Sequence, residues 1–148
     1  MRLYTMNGHD WTDRYPRVVE EAGRIKCQAV IDAELVCLDE HGKADFDKLH
    51  SRCFDEQAIA CGFDLLRHKG DDLRRTPLTE RKAALRKMIA GSKGGIQYVE
   101  HVQGDGAERF EQACKVGLEG IVSKRLSAPY KSGPCKSWIK ARNPESPA

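Results

Sequence analysis

Two carboxylates and a group of cations stand in positions where side chains of that kind are costly unless they do something. Glu34 lies inside the apolar run Val30-Ile31-Asp32-Ala33-Glu34-Leu35-Val36, where an unpaired carboxylate would pay a desolvation penalty. Alternation puts Asp32 and Glu34 on one side of a strand, so a solvent-facing edge accounts for the pattern equally well. Glu119 repeats the arrangement between Gly117-Leu118 and Gly120-Ile121-Val122, with Lys124 and Arg125 directly after. Acidic side chains on neighbouring strands beside lysines suit a divalent cation bridging a nucleoside phosphate, whereas an exposed ion pair is the plainer alternative, worth about 0 to 1 kcal/mol. In Trp138-Ile139-Lys140-Ala141-Arg142 alternation puts Trp138, Lys140 and Arg142 on one face, and two adjacent fixed cations can clamp phosphate oxygens. Phe63, in Gly62-Phe63-Asp64-Leu65-Leu66, offers a ring for base stacking, although a strand phenylalanine is more often core.

The elements that must hold these residues can be read from spacing and turn chemistry. Arg2 to Met6 is a short strand-like run closed by Asn7-Gly8, and Val18, Val19, Ala22 and Ile25 repeat at helical spacing behind Pro16. Cys27 to Leu38 predicts a long buried strand ending at Asp39-Glu40-His41-Gly42. Phe46, Leu49 and Cys53 mark a short helix, and Ala58 to Leu66 a second strand with a hairpin tip at Lys69-Gly70-Asp71-Asp72. Thr76-Pro77 opens a helix with Leu78, Leu85, Met88 and Ile89 on its apolar face and Gly91 at its end. Arg81, Lys82, Arg86 and Lys87 are expected on its solvent face. Ile96 to Val102 reads as a strand, and Asp105 to Lys115 as a helix with a capping box of Asp105 and Glu108. Gly120 to Ser123 and Ser137 to Ala141 read as strands joined by a loop over residues 127–136. The class these elements imply is α+β, with antiparallel-rich sheets flanked by helices.

Composition bounds the rest. A chain of 148 residues, 40% hydrophobic and 32% charged, fits a single domain, and it has neither an 18-residue apolar span nor a secretory leader, so a cytoplasmic location without membrane contact is expected. The net charge of +3 is modest, but residues 115–148 hold seven basic and two acidic side chains, so the positive charge is concentrated at one end. The six cysteines have no CxxC pair and no histidine at zinc-finger spacing; they read as reduced thiols, with Cys27, Cys37 and Cys61 as small core residues.

Taken in order, YTMNGHDWT, VIDAELVCLDEHG, GFDLL, DLRRTPLTERK, LEGIVSKR, SAPYKSG and WIKARNP resemble the nucleotidyltransferase (adenylation) domain of bacterial ATP-dependent DNA ligases of the end-joining type, from one end of the chain to the other. The resemblance implies an incomplete, ATP-grasp-like adenylation fold over residues 1–148. It also implies the family's reaction, in which a lysine attacks the α-phosphorus of ATP, AMP passes from that lysine to a DNA 5′-phosphate, and the 3′-hydroxyl of a nick displaces it. On the matching positions, Glu34 would contact ribose or metal and Phe63 would stack on adenine. Glu119 would hold Mg²⁺ or Mn²⁺, with Glu34 as the second metal candidate, and Lys124 and Lys140 would neutralise the α-phosphate of ATP or AMP, with Arg142 beside them as the second cation of the last motif. The implied partner is nicked or broken double-stranded DNA in repair and recombination, in a bacterial cytosol and at the nucleoid when DNA is bound.

Departures from the family pattern qualify this. The family's nucleophile lies in a K-x-D-G-x-R segment that is absent from these 148 residues, Met6 stands where an arginine usually precedes Asn-Gly, and the usual D-G-E is Asp32-Ala33-Glu34. In the family an oligonucleotide-binding barrel follows the position of Ala148. These residues alone are therefore expected not to form an enzyme-AMP adduct, because phosphate clamping does not replace an in-line amine. An unpaired sheet edge around Arg2 to Met6, marginal stability, and association with a separate polypeptide carrying the lysine segment are expected in turn. Two other readings fit the residues: a nucleotide- or DNA-binding module without catalysis, and a small interaction protein whose basic tail is only a soluble surface.

Overall fold

In the computed structural model, which describes residues 1–146, the central element is a ten-residue strand, β2 (Ile59–His68), with partners on both sides. β1 (Ala29–Val36) runs antiparallel to it on one side. β4 (Ile96–Tyr98, parallel) and the two-residue β3 (Asp71–Asp72, antiparallel) lie along the other. The β2–β3 turn is the expected hairpin tip, with Lys69 at φ 52° and Gly70 at φ 94°, the left-handed pair that a tight turn requires.

One sheet face is covered by α3 (Leu78–Ile89), whose Leu85 and Ile89 join Leu65, Ala60 and Ile96 in the core; α1 (Pro16–Gly23) adds Val18 and Ala22. Gly95 is held between α1 and the start of β4, because a Cβ there would lie 2.7 Å from the Arg17 carbonyl oxygen and from the Glu21 Cβ. A short α2 (Phe46–Ser51) is capped by Asp45, whose carboxylate accepts from the Lys48 N–H. The second layer is a separate antiparallel ribbon of β5 (Gly120–Lys124) and β6 (Trp138–Arg142), backed by α4 (Gly106–Lys115). Gly120 is dictated by that ribbon: a Cβ would fall 2.2 Å from the Ala141 carbonyl oxygen.

Four expectations need correction. Arg2 to Met6 forms no strand of a sheet: Asn7-Gly8 turns the chain and leaves one bridge, Tyr4 to Asp10, and the outer strand of the main sheet is β1. β4 stops at Tyr98 rather than Val102, because it pairs only with residues 60–62 of β2. In α3, Arg86 and Lys87 are exposed as expected, but Arg81 and Lys82 turn inward and are 1% and 6% exposed. Asp105 caps α4 by accepting from the Ala107 and Glu108 N–H groups, while the Glu108 carboxylate accepts from Gln112 instead of closing the capping box. All six cysteines are free. Among the described residues no helix is long and apolar enough to cross a membrane.

Candidate functional site

The main sheet and the ribbon meet at Lys124, the last residue of β5. Its Nζ lies 3.9 Å from the centre of the Trp138 ring, directly opposite on β6, and 4.3 Å from the centre of the Phe63 ring on β2. An ammonium between two aromatic faces is held by their quadrupoles. Phe63 reaches it because β2 is bulged there. Asp32 pairs with Asp64 and Ala33 with Gly62, which leaves Phe63 as the extra residue between the two pairs, and a bulge of this kind re-aims a side chain.

The same stretch of ladder sets two carboxylates, Asp32 and Asp64, across from each other, a pairing of like charges that is unfavourable unless it is compensated. Compensation comes from outside the sheet. Arg81 donates to both oxygens of Asp64, at 2.7 and 3.0 Å, with both side chains fully buried. The Tyr130 hydroxyl donates to Asp32 at 3.2 Å, and its ring meets Trp138 edge-on with centroids 5.7 Å apart. Lys82 donates to the Val99 carbonyl at 3.0 Å, with its ammonium 4.6 Å from the Tyr98 ring.

Burial and neighbouring charge shift the titration of this cluster. Burial raises the Asp32 carboxyl, against the Tyr130 hydrogen bond and the Lys124 charge, which pull it down. Burial lowers the Lys124 ammonium, while Asp64 and Asp32 oppose that shift. Lys82 is lowered by burial first and by Lys124 second, and Tyr130 is raised by burial and by Asp32. Shifted groups gathered in one place are the electrostatic mark of a site that handles charge. The Trp138 Nε1 is buried beside this cluster with no hydrogen-bond partner among the described residues, a donor that an oxygen-rich ligand could satisfy.

The six candidate residues divide into two sets. Phe63 and Lys124 are in the cluster. Lys140 and Arg142 follow Trp138 along β6 at alternate positions, opposite Val122 and Gly120, so the Lys124 face of the ribbon continues into two exposed cations. Glu34 is exposed on β1 opposite Cys61, whose thiol is raised by burial and by the Glu34 charge. Glu119 is exposed just before β5, where its backbone carbonyl accepts from the Asn143 N–H at 2.7 Å. No hydrogen bond or ion pair joins the two carboxylates to each other or to the cluster among the described residues, and no group of three His, Cys, Asp or Glu side chains there could enclose a metal. Arg81 and Tyr130 join the cluster without being among the six candidates, although both lie in motifs that carry the resemblance, DLRRTPLTERK and SAPYKSG. Periodicity carried a signal for the first, since Leu78, Arg81, Lys82, Leu85 and Ile89 follow the i, i+3, i+4, i+7, i+11 rhythm of a buried helix face. Tyr130, 98 positions from Asp32, lies in a loop and carries no periodic signal.

A cavity of about 520 Å³ lies elsewhere, between α1 and α3, over Ile25, Cys27, Met88 and Ile96; none of the six candidates lines it.

Comparison with known proteins agrees with this architecture. The family model described as "ATP dependent DNA ligase domain" matches residues 1–142. The chain is 37% identical over 147 residues to the multifunctional non-homologous end joining protein LigD of Pseudomonas aeruginosa, covering 96% of this chain and 18% of that protein. It is 28% identical to the SPbeta prophage-derived DNA ligase-like protein LigB of Bacillus subtilis, covering 97% of this chain and 54% of the relative. The chain thus spans well under two thirds of these relatives. Among solved structures it superimposes on the ligase domain of LigD from M. tuberculosis with TM-score 0.80 and on a mycobacterial DNA ligase D complexed with ATP and MES with TM-score 0.81. Each is 32% identical and 95% of this chain is covered, against 46% and 47% of those chains. The chain therefore belongs to the family of ATP-dependent DNA ligase domains.

Proposed function

We propose that residues 1–148 form the nucleotide- and phosphate-holding part of a ligase adenylation domain, which works in DNA end joining or nick sealing once a lysine-bearing K-x-D-G-x-R segment is supplied, on the same polypeptide or a separate one. The observation that carries this reading is the seat of Lys124 between Phe63 and Trp138. The ring that would stack on adenine and the ammonium that would meet the α-phosphate are in contact before any nucleotide enters.

The roles follow from side-chain chemistry. Phe63 stacks on the base of ATP. Lys124, half-buried and desolvated, offers a point charge that is strong because little water screens it, and Lys140 extends that charge along β6. Arg142 adds a planar fork suited to two phosphate oxygens at once. Glu34 faces the ribose. The exposed carboxylates of Glu34 and Glu119 are oxygen donors of the kind Mg²⁺ or Mn²⁺ accepts when nucleotide phosphates and water complete the shell, and those two residues would hold the ion. When bound, the ion supplies neutralisation of phosphate charge. The attacking amine is not among these roles, so the chain orients and neutralises the α-phosphate, and the DNA 5′-phosphate after it, without itself receiving AMP.

Incubation with α-labelled ATP tests this. The 148 residues alone should give no covalent AMP, and a mixture with a segment carrying K-x-D-G-x-R should give an acid-labile adduct that Lys124→Met or Lys140→Glu suppresses. Failure of every mixture to form the adduct, together with no measurable ATP affinity, would contradict the proposal. The exposed Lys140 and Arg142 favour one second reading, a non-catalytic binder of nucleotide or DNA; its signature is DNA affinity that falls steeply with salt while no adduct forms in any mixture.

A further inference from the structure

From the hydrogen bonds of its guanidinium we infer that Arg81 is a positioning residue, one that sets the Phe63–Lys124–Trp138 cluster by clasping β2, the turn before α3 and the β5–β6 connection at one point. Arg81 sends a fork to Asp64, the residue after Phe63 on β2, at 2.7 and 3.0 Å. Its Nη1 donates to the Thr76 carbonyl ahead of α3 and, at 3.1 Å, to the Ala128 carbonyl in the β5–β6 connection. Two residues past Ala128 stands Tyr130, which holds Asp32 and packs on Trp138. One buried cation thus joins the strand that carries the stacking ring to the loop that braces the other wall of the Lys124 cage.

Helix stability does not ask for an arginine here. A buried ion pair contributes little net stability compared with apolar side chains of the same volume, and α3 would bury an apolar residue at this position as readily as Leu78 or Leu85. What only the planar fork supplies is simultaneous geometry toward a carboxylate and two carbonyls. Backbone bonds from Thr79 N–H to the Leu126 carbonyl, at 3.2 Å, and from Tyr130 N–H to the Arg74 carbonyl, at 2.7 Å, keep the connection attached without Arg81. Loss of the clasp should therefore misplace the cluster without releasing the loop.

The test uses the Trp11→Phe background, in which Trp138 is the only tryptophan, and reads acrylamide quenching of Trp138 and affinity for AMP. Arg81→Lys keeps the charge and loses the fork. The double variant Asp64→Leu with Arg81→Met replaces the pair by apolar volume and guards against a fold failure of the first. Val18→Ala, on α1 and fully buried, serves as a destabilised control away from the cluster. Both Arg81 variants should show faster quenching and AMP affinity weakened about tenfold, the scale of one hydrogen bond to a charged group, and Val18→Ala should lower the Tm and move neither readout. Unchanged Trp138 quenching in a folded Arg81 variant overturns the inference, as does equal quenching in Val18→Ala. The AMP arm rests on the proposed function; absence of AMP binding by the parent protein would count against that function and leave the quenching arm to decide the role of Arg81.

Discussion

The main sheet and the β5–β6 ribbon bury their residues to different degrees. β2 has neighbours on both edges and α3 on one face, so Leu65 and Leu85 are fully enclosed, whereas the ribbon, backed by α4, leaves Val122 50% and Ile139 64% exposed. The difference separates two tasks. The enclosed layer holds Phe63 and the Asp64–Arg81 pair in fixed positions, and the open layer presents Lys140 and Arg142 to water, where a phosphate can reach them. Lys124 sits on the seam, with one aromatic wall from each layer. Stability is thus concentrated away from the exposed cations, as expected if the groups proposed to bind phosphate stand on a rigid support.

Substitutions in the two layers should separate these tasks. The largest effect is expected from Leu65→Ala or Leu85→Ala, each removing a fully buried side chain at a cost of about 2–5 kcal/mol; urea unfolding should show both layers lost together. Asp64→Asn strands a fully buried guanidinium and should cost about 3–5 kcal/mol. Gly120→Ala forces β5 and β6 apart, since its Cβ would meet the Ala141 carbonyl. A loss of about 1–3 kcal/mol confined to the ribbon should appear as altered Trp138 fluorescence with the far-ultraviolet spectrum of the main sheet kept. Lys140→Glu, on an exposed strand position, should change stability by less than about 0.5 kcal/mol. It should nevertheless weaken DNA binding and reduce the slope of log affinity against log salt by about one unit. A ribbon variant that unfolds the main sheet, or a Lys140→Glu protein whose DNA affinity is unchanged, would erase the division.

Acid offers a finer probe of the seam. Burial raises the Asp32 carboxyl in the folded protein, so the folded state binds this proton more tightly than the unfolded chain does. The Asp32 contribution is therefore unfavourable above its folded pKa, and it is recovered as pH falls through that value toward the ordinary carboxylate range. Asp32→Asn should remove this portion of the pH dependence, measured as Tm against pH, and the parent and variant curves should converge at the acidic end. Curves that stay parallel across the acidic range would show that Asp32 is not desolvated.

Most of this architecture is legible in the residues because local rules and tertiary contacts agree. β1, β2, the β2–β3 hairpin tip, α4 and the ribbon all follow from alternation, capping and turn chemistry. Arg2 to Met6 has strand-like residues and a good turn, yet pairing needs a neighbour, and among the described residues this segment forms a single bridge, Tyr4 to Asp10. Arg81 and Lys82 misled through their chemistry: charged side chains suggest water, while their spacing within α3 faces them inward, and burial became possible because Asp64 and the carbonyls of Thr76, Ala128 and Val99 receive them. The order of motifs located Phe63, Lys124 and the β6 cations along the chain. It could not show the bulge that turns Phe63 toward Lys124, because register is set by packing across strands rather than by any residue type.

The most direct test of the account is a nucleotide titration followed by NMR, with ATP added to the 148-residue protein and shifts read at side-chain and backbone signals. Changes concentrated at Phe63, Lys124 and Trp138, and diminished by Lys124→Met, are the expected result. ATP-dependent shifts confined to the cavity between α1 and α3, around Ile25, Cys27 and Met88, with the Lys124 cluster silent, would contradict it.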